Sequence, residues 1–147
     1  MALSTKIQLH IVSADRSLVN ETVDEVEIPG ADGHFGVLPG HTPLLALLGA
    51  GELWYRQGAE RVYVSIAFGF AEVQPDRVTI LAQIAEKAEE IDVARAEAAR
   101  KRAEERLAQS TIDMDFERAR VALLKALVRL QVSSRGGSRA APTRIRS

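Results

Sequence analysis

The sequence changes character near residue 85, and that break limits the folds open to it. Before it, glycine, proline, aromatic and β-branched residues dominate. After it Ala, Glu, Arg and Leu take over, and the lone proline past residue 85 is Pro142. The first set favours strands and turns, the second helices. A 147-residue chain divided this way holds one domain, or a small domain with an appendage.

The first part repeats a period of two. Ile7, Leu9 and Ile11 alternate with Lys6, Gln8 and His10, and Val26 and Ile28 alternate with Glu25 and Glu27. The same holds for Leu53 and Tyr55, for Val62, Val64 and Ile66, and for Val78, Ile80 and Ala82. Such alternation predicts half-buried antiparallel strands. Turn signals separate them at Gln57-Gly58, Phe68-Gly69 and Pro75-Asp76. Short strands without intervening helices predict a sandwich or a flattened barrel.

Between Glu27 and Leu45 the chain carries four of its ten glycines and three of its five prolines. Pro29-Gly30 through Gly33 and Pro39-Gly40 bracket the apolar run Phe35 to Leu38, which reads as a short strand with a shaped loop at each end. Glycines 30, 33 and 36 loosely resemble a phosphate loop, but no Lys-Ser/Thr follows and no helix begins there. They read as turn glycines.

The second part predicts two helices. Asp92 is placed to cap a helix running to about Gln109, with Val93, Ala96, Ala99, Ala103 and Leu107 as a small-residue stripe and Glu97, Lys101 and Glu105 as a solvated ladder. A second helix runs from about Asp115 to Val132. The break at residues 110–113 is short, so the two form an antiparallel hairpin. Two apolar stripes run along the second helix, more than one neighbouring helix covers; part must meet the β domain, be covered in another conformation, or meet another protein. Arg95, Arg102 and Arg106 lie on one line, and Arg118, Lys125 and Arg129 on another. Lines of this kind are usually solvated faces paired with glutamates; the other reading is that both converge on a polyanion.

Several function classes are disfavoured. The formal net charge of -1 argues against bulk attraction to nucleic acid or an anionic membrane. With no cysteine, thiolate metal sites and thiol nucleophiles are out. His34 and His41 flank the glycine-rich stretch without a third ligand at metal-binding spacing, and no nucleophile elbow or HExxH pair is present. The longest apolar segment, Leu44 to Ala50, is far short of the ~20 residues a bilayer span needs.

Three stretches together resemble one family: VEIPGADGHFGVLPGHTPLL, FGFAEVQPDRVTILAQIAEKAEEID, and IDVARAEAARKRAEERL followed by DFERARVALLKALVRL. Their order and spacing are similar to those of ε subunits of bacterial F-type ATP synthases (δ in the mitochondrial enzyme), over about residues 3–132. The resemblance implies a β + α chain. A ten-stranded β sandwich occupies residues 1–86 and a two-helix hairpin residues 87–132. Residues 133–147 lie beyond the family's usual end and read, from composition, as a disordered basic tail. The resemblance also implies a non-catalytic rotor subunit, peripheral on the cytoplasmic face of the bacterial inner membrane. It would dock on the γ subunit and rest on the c-ring, with Gly30, Ala31, Asp32, Gly33, His34 and His41 at the ring-facing edge. The hairpin would inhibit ATP hydrolysis by extending into the head, with Arg118, Arg120, Lys125 and Arg129 facing the catalytic β subunit. No cofactor is required. Regulatory ATP is implied by the complete motif Ile91-Asp92-Val93-Ala94-Arg95-Ala96, with Glu86, Arg102, Lys125 and Arg129 matching the remaining pattern; Lys125 replaces an arginine of the tight binders, losing its planar fork.

Overall fold

The structure, a computed structural model, describes residues 5–109 and 113–135. Seven strands come first: β1 (Ile7–Ser13), β2 (Arg16–Val23), β3 (Glu25–Gly30), β4 (Gly33–Val37), β5 (Leu44–Gln57), β6 (Glu60–Gln74) and β7 (Arg77–Lys87). A 3₁₀ turn, Ala88–Glu90, leads to helices α1 (Val93–Gln109) and α2 (Asp113–Ser133). The strands form one sheet in the order β2-β1-β7-β6-β5-β3-β4, antiparallel throughout except for β1 on β7. The predicted alternation holds: Ile7, Leu9, Ile11, Val26, Ile28 and Leu53 are all fully buried in a common core.

Seven strands stand where the resemblance implied ten, because three long strands run unbroken through a bend. In β5 the core-facing residues change from Leu48 to Leu53 and Tyr55, an even-to-odd switch. In β6 they change from Val62, Val64 and Ile66 to Ala71 and Val73, and in β7 from Val78, Ile80 and Ala82 to Ala85. The pairings skip Gly49, Phe68 and Gln83 together. A sheet folds over in this way when its strands pass from one layer to the next through a local irregularity. Phe68-Gly69, predicted as a turn, is that irregularity inside β6. Phe68 has φ 64°, and Gly69 has φ 124° with a hypothetical Cβ 2.0 Å from the Leu81 carbonyl oxygen.

The helices pack through α2. Its Val128 and Val132 join Tyr63, Ala88 and Ile91 in a second, smaller core, with Ala50 and Trp54 at its margin. The third body demanded by α2's second stripe is therefore the sheet itself; Phe116 and Leu127 stay exposed. Ala96 and Ala103, seven residues apart, are buried along α1 and let α2 approach closely. Val93, expected in the same stripe, is exposed. Glu97 is engaged by Arg100, not by Lys101, because the Arg100 guanidinium bridges Glu97 and Glu104 one turn on either side. The basic tail begins differently from expectation. The helix runs to Ser133, and Arg135 is seated on the sheet; residues 136–147 lie outside the described residues.

Candidate functional site

A cleft of about 550 Å³ lies between the sheet and the helical pair. Its floor is the bend of β6 and β7, with Ser65, Ala67 and Gln83; its roof is Ala99 of α1 and Ala122 and Ala126 of α2. Small residues on both sides keep the helices from closing the space. Arg95, Lys125 and Arg129 enter from the helices, Glu86 from β7, and Asp15 and Arg16 from the β1–β2 turn. Four cations thus meet two carboxylates, an excess that favours an anionic ligand.

The partners of these groups differ. Arg129 donates to Glu86 through Nε at 2.7 Å. Arg16 grips both oxygens of Glu90, at 2.8 and 2.9 Å, and the Lys87 N–H also donates to Glu90. That Arg16 contact holds the Glu90 carboxyl below its ordinary range. Ser13 donates to Asp15 and lowers its pKa likewise. Arg95 and Lys125 have no carboxylate partner among the described residues; Lys125 Nζ sits 5.7 Å from the centre of the Phe68 ring.

A second set of polar groups lies under α2. On the face it covers, Ser65 pairs across the sheet with Glu52 on one side and Glu86 on the other. Glu52 is buried, yet Arg135 donates to both its oxygens at 2.7 and 2.8 Å and lies 4.7 Å from the Tyr63 ring centre. Arg129 of α2 and Arg135, two residues past its end, therefore clasp two carboxylates on either side of Ser65.

Of the residues the sequence put forward for ATP, Glu86, Arg95, Lys125 and Arg129 line the cleft, and Ile91, Asp92, Ala96 and Arg102 do not. Three of these four have structural work. Ile91 is in the small core, Asp92 Oδ1 accepts the Arg95 N–H at 3.0 Å as a helix cap, and Ala96 is fully buried. Arg102 is exposed. The two cation lines thus converge in part: one member of the first and two of the second reach the cleft. Arg118 and Arg120 remain on the exposed face of α2, Arg120 paired with Glu117, whereas Lys125 and Arg129 are turned toward the sheet. Sequence reading missed Ser65, Gln83, Arg16 and the Glu52–Arg135 clasp. Ser65 and Glu52 occupy outward positions in alternating strands, which look solvated until a helix is known to cover them.

The glycine-rich stretch is also divided. Gly30 to Gly33 form the β3–β4 turn, with exposed Ala31 and Asp32, and Ala31 N–H donates to Leu47. His34 starts up β4, its Nε2 3.0 Å from a Cβ built on Gly51. His41 lies past the other end of β4, where Gly40 N–H donates to Pro75. A strand of five residues, ~15 Å of extended chain, separates it from Asp32. Among the described residues no cluster of three metal-ligating side chains occurs, and no helix is long and apolar enough to cross a membrane.

The architecture defines a class: a β sandwich joined to a docked helical hairpin, with a cationic cleft where they meet. The chain belongs to the ATP synthase delta/epsilon chain family, whose β-sandwich domain matches residues 6–88 and whose long α-helix domain matches residues 89–134. It is 50% identical over 133 residues to the ATP synthase epsilon chain of Syntrophobacter fumaroxidans, covering 90% of this chain and 99% of the relative. It is 45% identical over 136 residues to ATP synthase epsilon chain 2 of Syntrophotalea carbinolica, covering 92% and 99%. A solved chain of the Euglena gracilis mitochondrial ATP synthase, from an OSCP/F1/c-ring structure, superposes with a TM-score of 0.79 at 26% identity, covering 91% of this chain and 84% of that one.

Proposed function

We propose that this chain is a non-catalytic central-stalk subunit of a proton-translocating F-type ATP synthase, coupling c-ring rotation to the catalytic head and restraining ATP hydrolysis through its helices. The observation that carries this is the end-to-end match of both family domains over residues 6–134, in one order and with one spacing. The β domain has a surface suited to a protein partner. Leu47, Phe70 and Leu81 are directly paired across β5, β6 and β7, and with Leu45 they form an exposed apolar row on the sheet's outer face. This row meets the γ subunit. The β3–β4 turn, with Asp32 at its tip, meets the c-ring.

The helices are docked on the sheet here. In the inhibitory position they leave it, and Lys125 and Arg129 turn outward to join Arg118 and Arg120 against acidic segments of the catalytic β subunit. A chain ending after Glu90 tests this: it assembles normally, and the complex hydrolyses ATP faster. Unchanged hydrolysis under all nucleotide conditions removes the inhibitory half of the proposal.

A second reading rests on the cleft. Its excess of cations fits regulatory ATP, bound on the docked hairpin and holding it there. Calorimetry of the isolated chain shows heat with ATP that Arg95→Ala weakens; no heat at millimolar ATP rules the reading out.

A further inference from the structure

The cleft's floor contains a group that neither the ion pairs nor the packing account for. Ser65 is 4% exposed and lines the cleft, yet its hydroxyl makes no hydrogen bond among the described residues. A buried, unsatisfied hydroxyl is unfavourable unless something supplies a partner. Its neighbours say what kind. Directly across the sheet stand the carboxylates Glu86, held by Arg129 of α2, and Glu52, held by Arg135 just past the end of that helix. Phosphate oxygens are disfavoured beside that row. The roof near it is Ala122 and Ala126, apolar and small. The lining cations without carboxylate partners, Arg95 and Lys125, belong to the two helices instead.

We infer that the cleft is polarised: the phosphates of a nucleoside polyphosphate lie on Arg95 and Lys125, and its uncharged base-and-sugar end lies in the alanine-lined slot with a hydrogen bond to Ser65. This rests on the nucleotide reading of the cleft given above and adds the β sandwich as the part that selects the ligand. A ligand held so touches both domains at once, so it binds only while α2 covers the sheet. The helix residues alone recognise a polyphosphate; Ser65 recognises what is attached to it.

Calorimetry on the full chain with two probes, ATP and inorganic triphosphate, tests the assignment. Ser65→Ala lowers ATP affinity about three- to tenfold, the worth of one hydrogen bond, and leaves triphosphate affinity unchanged. Arg95→Ala weakens both probes. The unliganded Ser65→Ala chain melts no lower than the parent, because an unsatisfied hydroxyl has been removed. Unchanged ATP affinity in Ser65→Ala overturns the inference while leaving the nucleotide reading intact. So does an equal loss for both probes, or a clearly lowered melting temperature, since either gives Ser65 a structural role. If the parent chain binds neither probe, the nucleotide reading fails and this inference with it.

Discussion

Gly69 holds a backbone φ of 124°, and a Cβ there would stand 2.0 Å from the Leu81 carbonyl. No L side chain fits without moving β7, so Gly69→Ala should destabilise the β domain by well over ~1 kcal/mol, read as a lowered melting temperature. Phe68 before it accepts a positive φ without being glycine, a conformation worth of order 1–3 kcal/mol in strain. At this scale the sequence was legible where a rule is local. Asp92 caps its helix as its position predicts, and on either side of the bend the inward residues of the strands follow the period of two. It was not legible where a partner is distant. Arg135 stands in a polar segment with no periodicity, and only the fold brings it 83 residues back to Glu52. Arg135→Ala should loosen the end of α2, at a cost of about 1–3 kcal/mol for a charged hydrogen-bonded partner lost, near the low end because the arginine is half in solvent. Hydrogen exchange checks it: protection falls in α2 and is unchanged in β1 and β2.

Among elements, the instructive one is β6. Its first half is buried on both faces, with Val62, Val64 and Ile66 in the sandwich core and Tyr63 and Ser65 under α2. Alternation reported only the first of these faces. The second half returns to one buried face, and its outer residue Phe70 is half exposed in the row assigned to the γ subunit. Phe70→Glu should leave the isolated chain's folding stability within about 0.5 kcal/mol of the parent, as surface changes usually do, while weakening its assembly with the γ subunit. Pull-down of the pair measures that. The link between domains carries a pH signature. Arg16 holds the Glu90 carboxyl below its usual 4.5, and at the far end of β1 Lys6, with the Gly58 N–H, holds Asp24 below 3.8. A carboxyl depressed by folding adds stability above its unfolded pKa and loses it as pH falls through the folded value. The chain should therefore lose stability below about pH 4, and Glu90→Gln should lose less over that window.

At the scale of the molecule, the division into a β domain and a helical pair was readable from composition near residue 85. How the two sit together was not. The cation lines showed that arginines were available, but only the docking of α2 decides that Lys125 and Arg129 face the sheet while Arg118 and Arg120 stay exposed. The same docking creates the cleft, and α2 rather than α1 provides most of the contact with the sheet. A hairpin held by one small apolar cluster and two arginine clasps is suited to release as a unit, because few groups must be rehydrated. Cysteines at positions 52 and 135, in a chain that has none of its own, allow the helices to be fixed to the sheet by a short bismaleimide. The measurement is ATP hydrolysis by the reconstituted complex before and after that cross-link. If inhibition requires the helices to leave the sheet, the cross-linked complex hydrolyses ATP as fast as one whose chain ends after Glu90, and faster than the same complex before cross-linking. A cross-linked complex as strongly inhibited as its uncross-linked parent shows instead that release of the helices is not what inhibits.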